Sequence, residues 1–412
     1  MKILHLVHNY YPSIGGSQLM YQQFSEILVR MYDDDVKVFT TNAMFSPHAS
    51  NNRFIPAGKE MLNGVEVQRF RFNHLYPMIY QNIKRICAKI GLKIPYKDLF
   101  DLLNAGPISL TMFLKVLKAK TDIISSTPVY YLNSYYPIFT RIFGKSTPLV
   151  IFGALHLHDN EIKRKTLWVI MKSDAYIAHT QFEKNYLIKK GIPSDKIHII
   201  GAGIDLSDFS KADGLNIRQR YHISDSPVIL FLGRHAPYKG IDTLLFAMRE
   251  VWQRFPDAYL IIAGAETSYT STIKEIVNEC SVEEGQHIIL PGSILEDEKA
   301  DFYAACDIFV TVSSQESFGI IYTEAWACCK PVIGGRIGAV SDLIRDDIDG
   351  KLVDIGNVSQ LAETIKILIA NPDLRQSMGQ QGYQRVQEEF TWDVLTQKLR
   401  HIYEEVIEKA RA

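Results

Sequence analysis

Short runs of β-branched and aliphatic residues recur along the chain, each bounded by turn residues and followed by a stretch with helical spacing. That alternation predicts parallel sheets covered by helices, the α/β class. In the first half, strands are expected at 2–8, 35–40, 65–70, 122–125, 148–152, 174–178 and 196–200. In the second half they are expected at 228–232, 258–263, 286–290, 307–312, 331–333 and 351–354, with helices near 241–254, 270–284, 297–305, 320–328 and 358–370 between them. The halves read as two doubly wound, Rossmann-like units. Gly201-Ala202-Gly203-Ile204-Asp205 and the polar stretch Ser207 to Gly214 suit a linker, which gives domains at 1–205 and 206–390. The last stretch reads as two helices, divided where Thr391 offers a new N-cap for a terminal helix over 391–412.

The length of 412 residues agrees with two domains, at roughly 100–200 residues each. Lys plus Arg number 45 against 46 Asp plus Glu, so no global field recruits nucleic acid and any anionic ligand must be held locally. The five cysteines are odd in number and include no C-x-x-C pair, which argues against a disulfide framework and for a reduced, cytoplasmic compartment. The apolar run at the start is short and broken by His5, so it reads as a strand rather than a signal peptide. No run of about 18 apolar residues predicts a transmembrane helix.

In doubly wound sheets, ligands sit at the carboxyl ends of the strands, and the chemistry-bearing residues cluster there. Gly233-Arg234 ends strand 228–232, and Lys239-Gly240 opens the next helix. Two cations beside a helix N-terminus form a diphosphate grip that needs no metal, although the same loop could simply carry two solvated cations. Glu316-Ser317-Phe318-Gly319-Ile320-Ile321-Tyr322-Thr323-Glu324 repeats the strand-loop-helix placement. Its carboxylates are too far apart for one dyad, and Glu324 could accept both ribose hydroxyls; standing alone, it would read as part of a solvated helix face. Gly15-Gly16 separate the first strand from its helix, where paired glycines allow either a close ligand approach or a tight turn. His156 and His158 follow strand 148–152 and could touch an acceptor or the sugar, serve structure, or ligate a metal; only Asp159 and Glu161 are near enough in sequence to help with the last. Asp33-Asp34-Asp35 reads as a solvated turn, and Cys328-Cys329 as packing.

Segment 79–97 stands apart. Ile79, Ile83, Ile86 and Ile90 form a helical stripe, and Lys84, Arg85, Lys89, Lys93 and Lys97 fall in 84–97 with no acid among them. Such a helix either packs on its sheet with a solvated basic face or docks peripherally on anionic lipid.

Taken in order, Gly15-Gly16, His156, Gly233-Arg234 with Lys239-Gly240, and Glu316 to Glu324 resemble the motif set of family 4 retaining glycosyltransferases, which have the GT-B fold. Lys196 to Asp205 looks like the hinge-side strand and loop of that family, with Gly201-Ala202-Gly203 departing from its commoner Pro-Asn-Gly, and Gly338 to Asp342 resembles its loop after the donor helix. The resemblance implies two Rossmann-like domains facing across a cleft, a UDP- or GDP-sugar donor on the second, and a glycan or lipid-linked acceptor on the first. Neither metal nor cofactor is implied. By position, Arg234 and Lys239 would hold the diphosphate and Glu324 the ribose. Glu316 with Phe318, Gly319 and Ile320 would hold the sugar, Gly15 and Gly16 would approach the phosphates, and His156, with His158 as second choice, would be the catalytic histidine. The terminal helix would cross back onto the first domain. A nucleotide-sugar epimerase of the same fold and a catalytically silent nucleotide-sugar-binding subunit are the competing readings.

Overall fold

The computed structural model describes residues 1–13, 15–44, 54–72, 82–87, 89, 106, 108–153, 155 and 162–412. Strand β1 (Lys2–Val7) alternates its apolar side chains between two cores: Ile3 and Val7 enter one, Leu4 and Leu6 the core on the opposite sheet face. His5, the polar break in that run, is fully buried. Its Nδ1 lies 2.8 Å from the Ser25 hydroxyl and its Nε2 3.1 Å from that of Tyr403. Burial pushes its pKa down to about 3, so the ring is neutral.

The first sheet adds β2 (Asp35–Thr41), β3 (Gly58–Leu62), β4 (Val65–Phe70), β5 (Ile123–Thr127), β6 (Leu149–Phe152), β7 (Ala175–Ala178) and β8 (Ile197–Ile199). Its order is β3-β4-β2-β1-β5-β6-β7-β8, with only β3 antiparallel to its neighbour. The sequence reading missed β3, whose exposed residues carry no apolar alternation. It pairs with β4 through Asn63-Gly64, both at positive φ (47° and 83°), the hairpin turn whose twist matches that of the strands.

The second sheet consists of β9 (Val228–Leu232), β10 (Tyr259–Ala263), β11 (Ile288–Gly292), β12 (Ile308–Thr311), β13 (Val332–Gly335) and β14 (Gly350–Val353). All pair in parallel, in the order β11-β10-β9-β12-β13-β14. The helix expected over 270–284 is two, Thr270–Asn278 and Val282–Gln286. Ser281 starts the second with a reciprocal capping box: its hydroxyl accepts the Glu284 N–H at 3.2 Å, and Glu284 accepts the Ser281 N–H at 2.9 Å. That extra turn moves the next strand from the expected 286–290 to Ile288–Gly292.

After the second sheet the chain returns. The Thr391 hydroxyl caps the helix Trp392–Arg411, which lies against the helix Gly16–Tyr32 and sends Trp392, Leu395, Leu399 and Tyr403 into the first domain's core. The linker passes beneath this crossing, with the Ile204 N–H donating to the Phe390 carbonyl at 2.9 Å. Only glycine fits at 203, where a Cβ would come within 2.3 Å of the Trp392 ring. The same docking corrects the reading of Asp33 to Asp35 as a solvated turn: Asp34 is buried and accepts Arg400 of the returning helix at 3.1 Å.

Strand order reverses between β1 and β5 in the first sheet and between β9 and β12 in the second. The loops leaving these strands flank the two crevices where doubly wound sheets bind ligands.

Candidate functional site

The loops after β9 and β12 touch. The Ser314 N–H donates to the Tyr238 carbonyl at 2.8 Å, and Gly240, at φ 69°, leaves no room for a Cβ, which would lie 2.7 Å from Val312. This contact brings Lys239 and Glu316 together as an ion pair, each side chain only 13% exposed. The Lys239 ammonium lies 5.5 Å from the centre of the Tyr238 ring. Arg234 is exposed, and its Nη2 donates to the Tyr238 hydroxyl at 2.6 Å. Two cations and one carboxylate thus stand on one loop pair at the switch point. A cavity of about 450 Å³ opens beside them, bordered by Arg234, His235, Tyr238, Thr267 and Tyr269.

The β12 loop ends at Gly319, whose φ of 96° turns the chain into the helix Ile320–Ala327. No side chain caps this helix. Its first N–H groups and the positive end of its dipole add a third attraction for an anion on the same loop pair. Lys239 meets any diphosphate with Glu316 already attached, so a ligand must share or displace that carboxylate.

Glu324 is not on a solvated face. Its side chain is 9% exposed; Oε1 receives the Lys299 ammonium and Oε2 the Tyr303 hydroxyl, each at 2.8 Å. Burial pulls the Lys299 amine down, but Glu324 and Glu296 more than reverse this and hold it above the usual lysine value. Sequence reasoning passed over Lys299 and Tyr303. Their four-residue spacing puts both on one helix face, but nothing local shows that this face meets Glu324. A second cavity, of about 520 Å³, is bordered by Ile320, Glu324 and Lys299 of the second domain and by Leu19 and Gln23 of the first. The two glutamates therefore have separate partners, as their spacing required.

Gly15 precedes and Gly16 begins the helix Gly16–Tyr32, on the loop after β1. A Cβ on Gly16 would meet nothing within 4 Å, so its backbone is open to an approaching group. His156, His158, Asp159 and Glu161 lie outside the described residues. Among the described residues, no group of three His, Cys, Asp or Glu is placed to hold a metal ion, and no helix is long and apolar enough to cross a membrane. Of the basic segment, residues 82–87 are helical, with Ile83, Ile86, Lys84, Arg85 and Lys89 exposed; Ile79, Ile90, Lys93 and Lys97 lie outside the described residues.

The profile of the family Glycosyl transferases group 1 matches residues 215–385. A D-inositol 3-phosphate glycosyltransferase from Xylanimonas cellulosilytica is 28% identical over 255 residues, which are 59% of this chain and 60% of that protein. A GDP-mannose-dependent alpha-(1-6)-phosphatidylinositol monomannoside mannosyltransferase from Mycobacterium tuberculosis is 28% identical over 216 residues, 50% of this chain and 55% of that protein. The chain thus spans less than two thirds of either relative's length. HepE from Anabaena, solved with UDP-glucose, superposes with a TM-score of 0.70 at 16% identity, covering 98% of this chain and 100% of that one. Residues 215–385 thus match the glycosyl transferases group 1 family, and the two-sheet architecture of the whole chain is the GT-B fold.

Proposed function

We propose that the chain transfers a sugar from a nucleotide-sugar donor to a glycan, lipid-linked glycan or small acceptor, with retention at the anomeric carbon and without a metal. The observation that carries this reading is the contact between the β9 and β12 loops, which gathers Arg234, Lys239, Glu316 and an uncapped helix N-terminus at one switch point. As the glycosidic bond breaks, positive charge grows on the sugar ring and negative charge on the leaving diphosphate. Arg234 and Lys239 supply fixed cations for the diphosphate, and the helix end supplies N–H groups, which together do the work of a metal. Glu316 orients Lys239 and reaches the sugar, while Glu324, steadied by Lys299 and Tyr303, accepts the ribose hydroxyls. The leaving phosphate takes the acceptor's proton on the face it departs from, which gives retention.

UDP- and GDP-sugars are the donors of choice, since HepE was solved with UDP-glucose and the mannosyltransferase relative is GDP-mannose-dependent. The acceptor belongs to the first domain. A lipid-linked acceptor agrees with peripheral docking of 79–97 on the anionic inner face of a membrane, from the cytoplasm. The test is thermal stabilisation by UDP, GDP, ADP and their sugars, followed by transfer assays with the responding donor. A ligand at 100 times its dissociation constant adds about 2.7 kcal/mol. Conversion of donor alone would identify an epimerase instead, and nucleotide binding with no turnover on any acceptor would leave a binding subunit.

A further inference from the structure

One face of the first sheet is covered by the helix Leu110–Lys118, the turn Arg141–Phe143 and the helix Arg164–Lys172. Met112, Val116, Val169 and Ile170 fill the core beneath. Both helices then carry apolar residues a second time, on the outside. Leu110 and Leu114 stand four apart and Trp168 and Met171 three apart, so each pair shares one exposed helix face. A surface helix ordinarily turns charged and polar residues that way. Between the helices, Ile142 is 79% and Phe143 64% exposed.

The turn that carries these two is fastened on both sides. The Lys145 ammonium donates to the Val116 carbonyl at the end of the first helix, and Arg141 Nη1 to the Lys172 carbonyl at the end of the second, each at 2.8 Å. The Phe143 ring lies 6.2 Å from that of Phe113, and the Trp168 ring stacks on Tyr135 at 6.0 Å. The three elements therefore form one continuous surface, an apolar patch of the kind that marks an interaction site. Its charge is one-sided. Residues 108–173 contain nine lysines and arginines against Asp122, Asp159 and Glu161, in a chain whose net charge is -1. Lys115 and Lys118 flank Leu114, Arg164 and Lys172 lie one turn to either side of Trp168, and all four are exposed. Asp174, at the foot of the turn, is already taken by Arg141 at 2.5 Å.

We propose that this face docks on an anionic lipid bilayer: Ile142 and Phe143 enter the boundary between headgroups and acyl chains, and the surrounding cations meet the lipid phosphates. A second copy of the chain fits the face poorly, because an isologous contact sets these cations against their own counterparts, and like charges across an interface repel. An anionic surface complements both the charge and the apolar wedge, and stable anchoring takes two such signals. The proposal goes beyond the docking of 79–97 given above and uses none of its residues. It involves neither donor nor acceptor, so it can fail while the transfer reading stands, and the reverse.

Trp168 reports on this face alone, because the other three tryptophans, Trp252, Trp326 and Trp392, are buried. The full chain is mixed at low salt with vesicles of phosphatidylcholine, alone or with phosphatidylglycerol, and with the same lipids carrying brominated acyl chains. Expected for wild type is sedimentation with the phosphatidylglycerol vesicles only, and quenching of an emission component that Trp168→Phe lacks. Ile142→Ser combined with Phe143→Ser should weaken binding at least tenfold and abolish the quenching, with the unfolding midpoint unaltered because both side chains are exposed. Lys115→Glu, Lys118→Glu and Lys172→Glu together should remove the preference for anionic vesicles. Vesicle binding without quenching of Trp168 would overturn the proposal and leave docking to 84–89. Binding of the double serine variant equal to wild type, equal wild-type binding to both kinds of vesicle, or none to either would overturn it as well. Self-association in sedimentation velocity that the serine variant abolishes, with no vesicle binding, would assign the face to a second copy instead.

Discussion

Replacing Tyr303 with Phe removes one oxygen from a site whose geometry makes that oxygen count. The ring is fully buried, and its hydroxyl donates to Glu324 Oε2 at 2.8 Å. The other carboxylate oxygen is held by Lys299 at 2.8 Å, so the variant leaves a nearly buried anion with one tether in place of two. A hydrogen bond to a charged group contributes about 1.5–3 kcal/mol, and a buried acceptor left without its donor sits at the upper part of that range. The phenylalanine ring fills the same space, so no cavity term is added. For a domain of this size, the midpoint should fall by roughly 3–12 °C, at 2–4 °C per kcal/mol. Urea unfolding at neutral pH and calorimetry measure it. A second arm titrates the variant with free nucleoside diphosphate: Glu324 keeps Lys299 as its single tether, so affinity should weaken by about threefold to tenfold, up to 1.4 kcal/mol. Glu324→Ala should lose more. Coincident unfolding curves for wild type and Tyr303→Phe would refute the claim that this hydroxyl holds Glu324. A stability loss with unchanged affinity would refute the role of Glu324 at the ribose.

Arg234→Ala and Lys239→Ala should each cost about 2.7–4 kcal/mol of barrier, seen as a 10²–10³-fold drop in kcat with little change in donor affinity, because diphosphate charge grows as the bond breaks. Wild-type turnover in both variants would end the diphosphate assignment. Activity should persist in excess EDTA; loss that magnesium or manganese restores would show that a metal acts after all. The wild-type chain should sediment with anionic liposomes at low salt and be released at high salt, whereas a Lys84→Glu, Arg85→Glu, Lys89→Glu variant stays in solution; equal recovery of both proteins removes the membrane role. Folding stability should also depend on Glu183. Its carboxyl rises from the ordinary 4.5 to about 7, so its contribution is fully present below 4.5 and is lost as pH climbs to 7, about 3 kcal/mol in all. Glu183→Gln should flatten that part of a stability profile measured by urea unfolding; an unchanged slope would place the shift elsewhere.

The arrangement of strands and helices was legible in the sequence because it depends on local periodicity. The short apolar run Val228–Leu232, bounded by turn residues, reads as a buried strand and is one, and Thr391 offers the final helix its N-cap. The candidate residues Arg234, Lys239, Glu316 and Glu324 were singled out in the same way, by fixed offsets from those strands. Where a local signal was weak or ambiguous, the reading slipped, as at exposed β3 and at the helix interrupted by Ser281. Partnership was decided only by the tertiary structure. Nothing near Glu324 names Lys299 and Tyr303, and nothing in the Thr180 to Glu183 pattern says that the carboxylate will leave its own cap for Tyr176 and Leu155. Likewise Asp34 reads as solvent-facing until Arg400, 366 residues later, covers it. A sequence fixes which groups can bear charge and how far apart they stand along a strand or helix. Which of those charges are buried, and against what, depends on contacts between distant segments, and burial is what turns a common residue type into a perturbed and directional one.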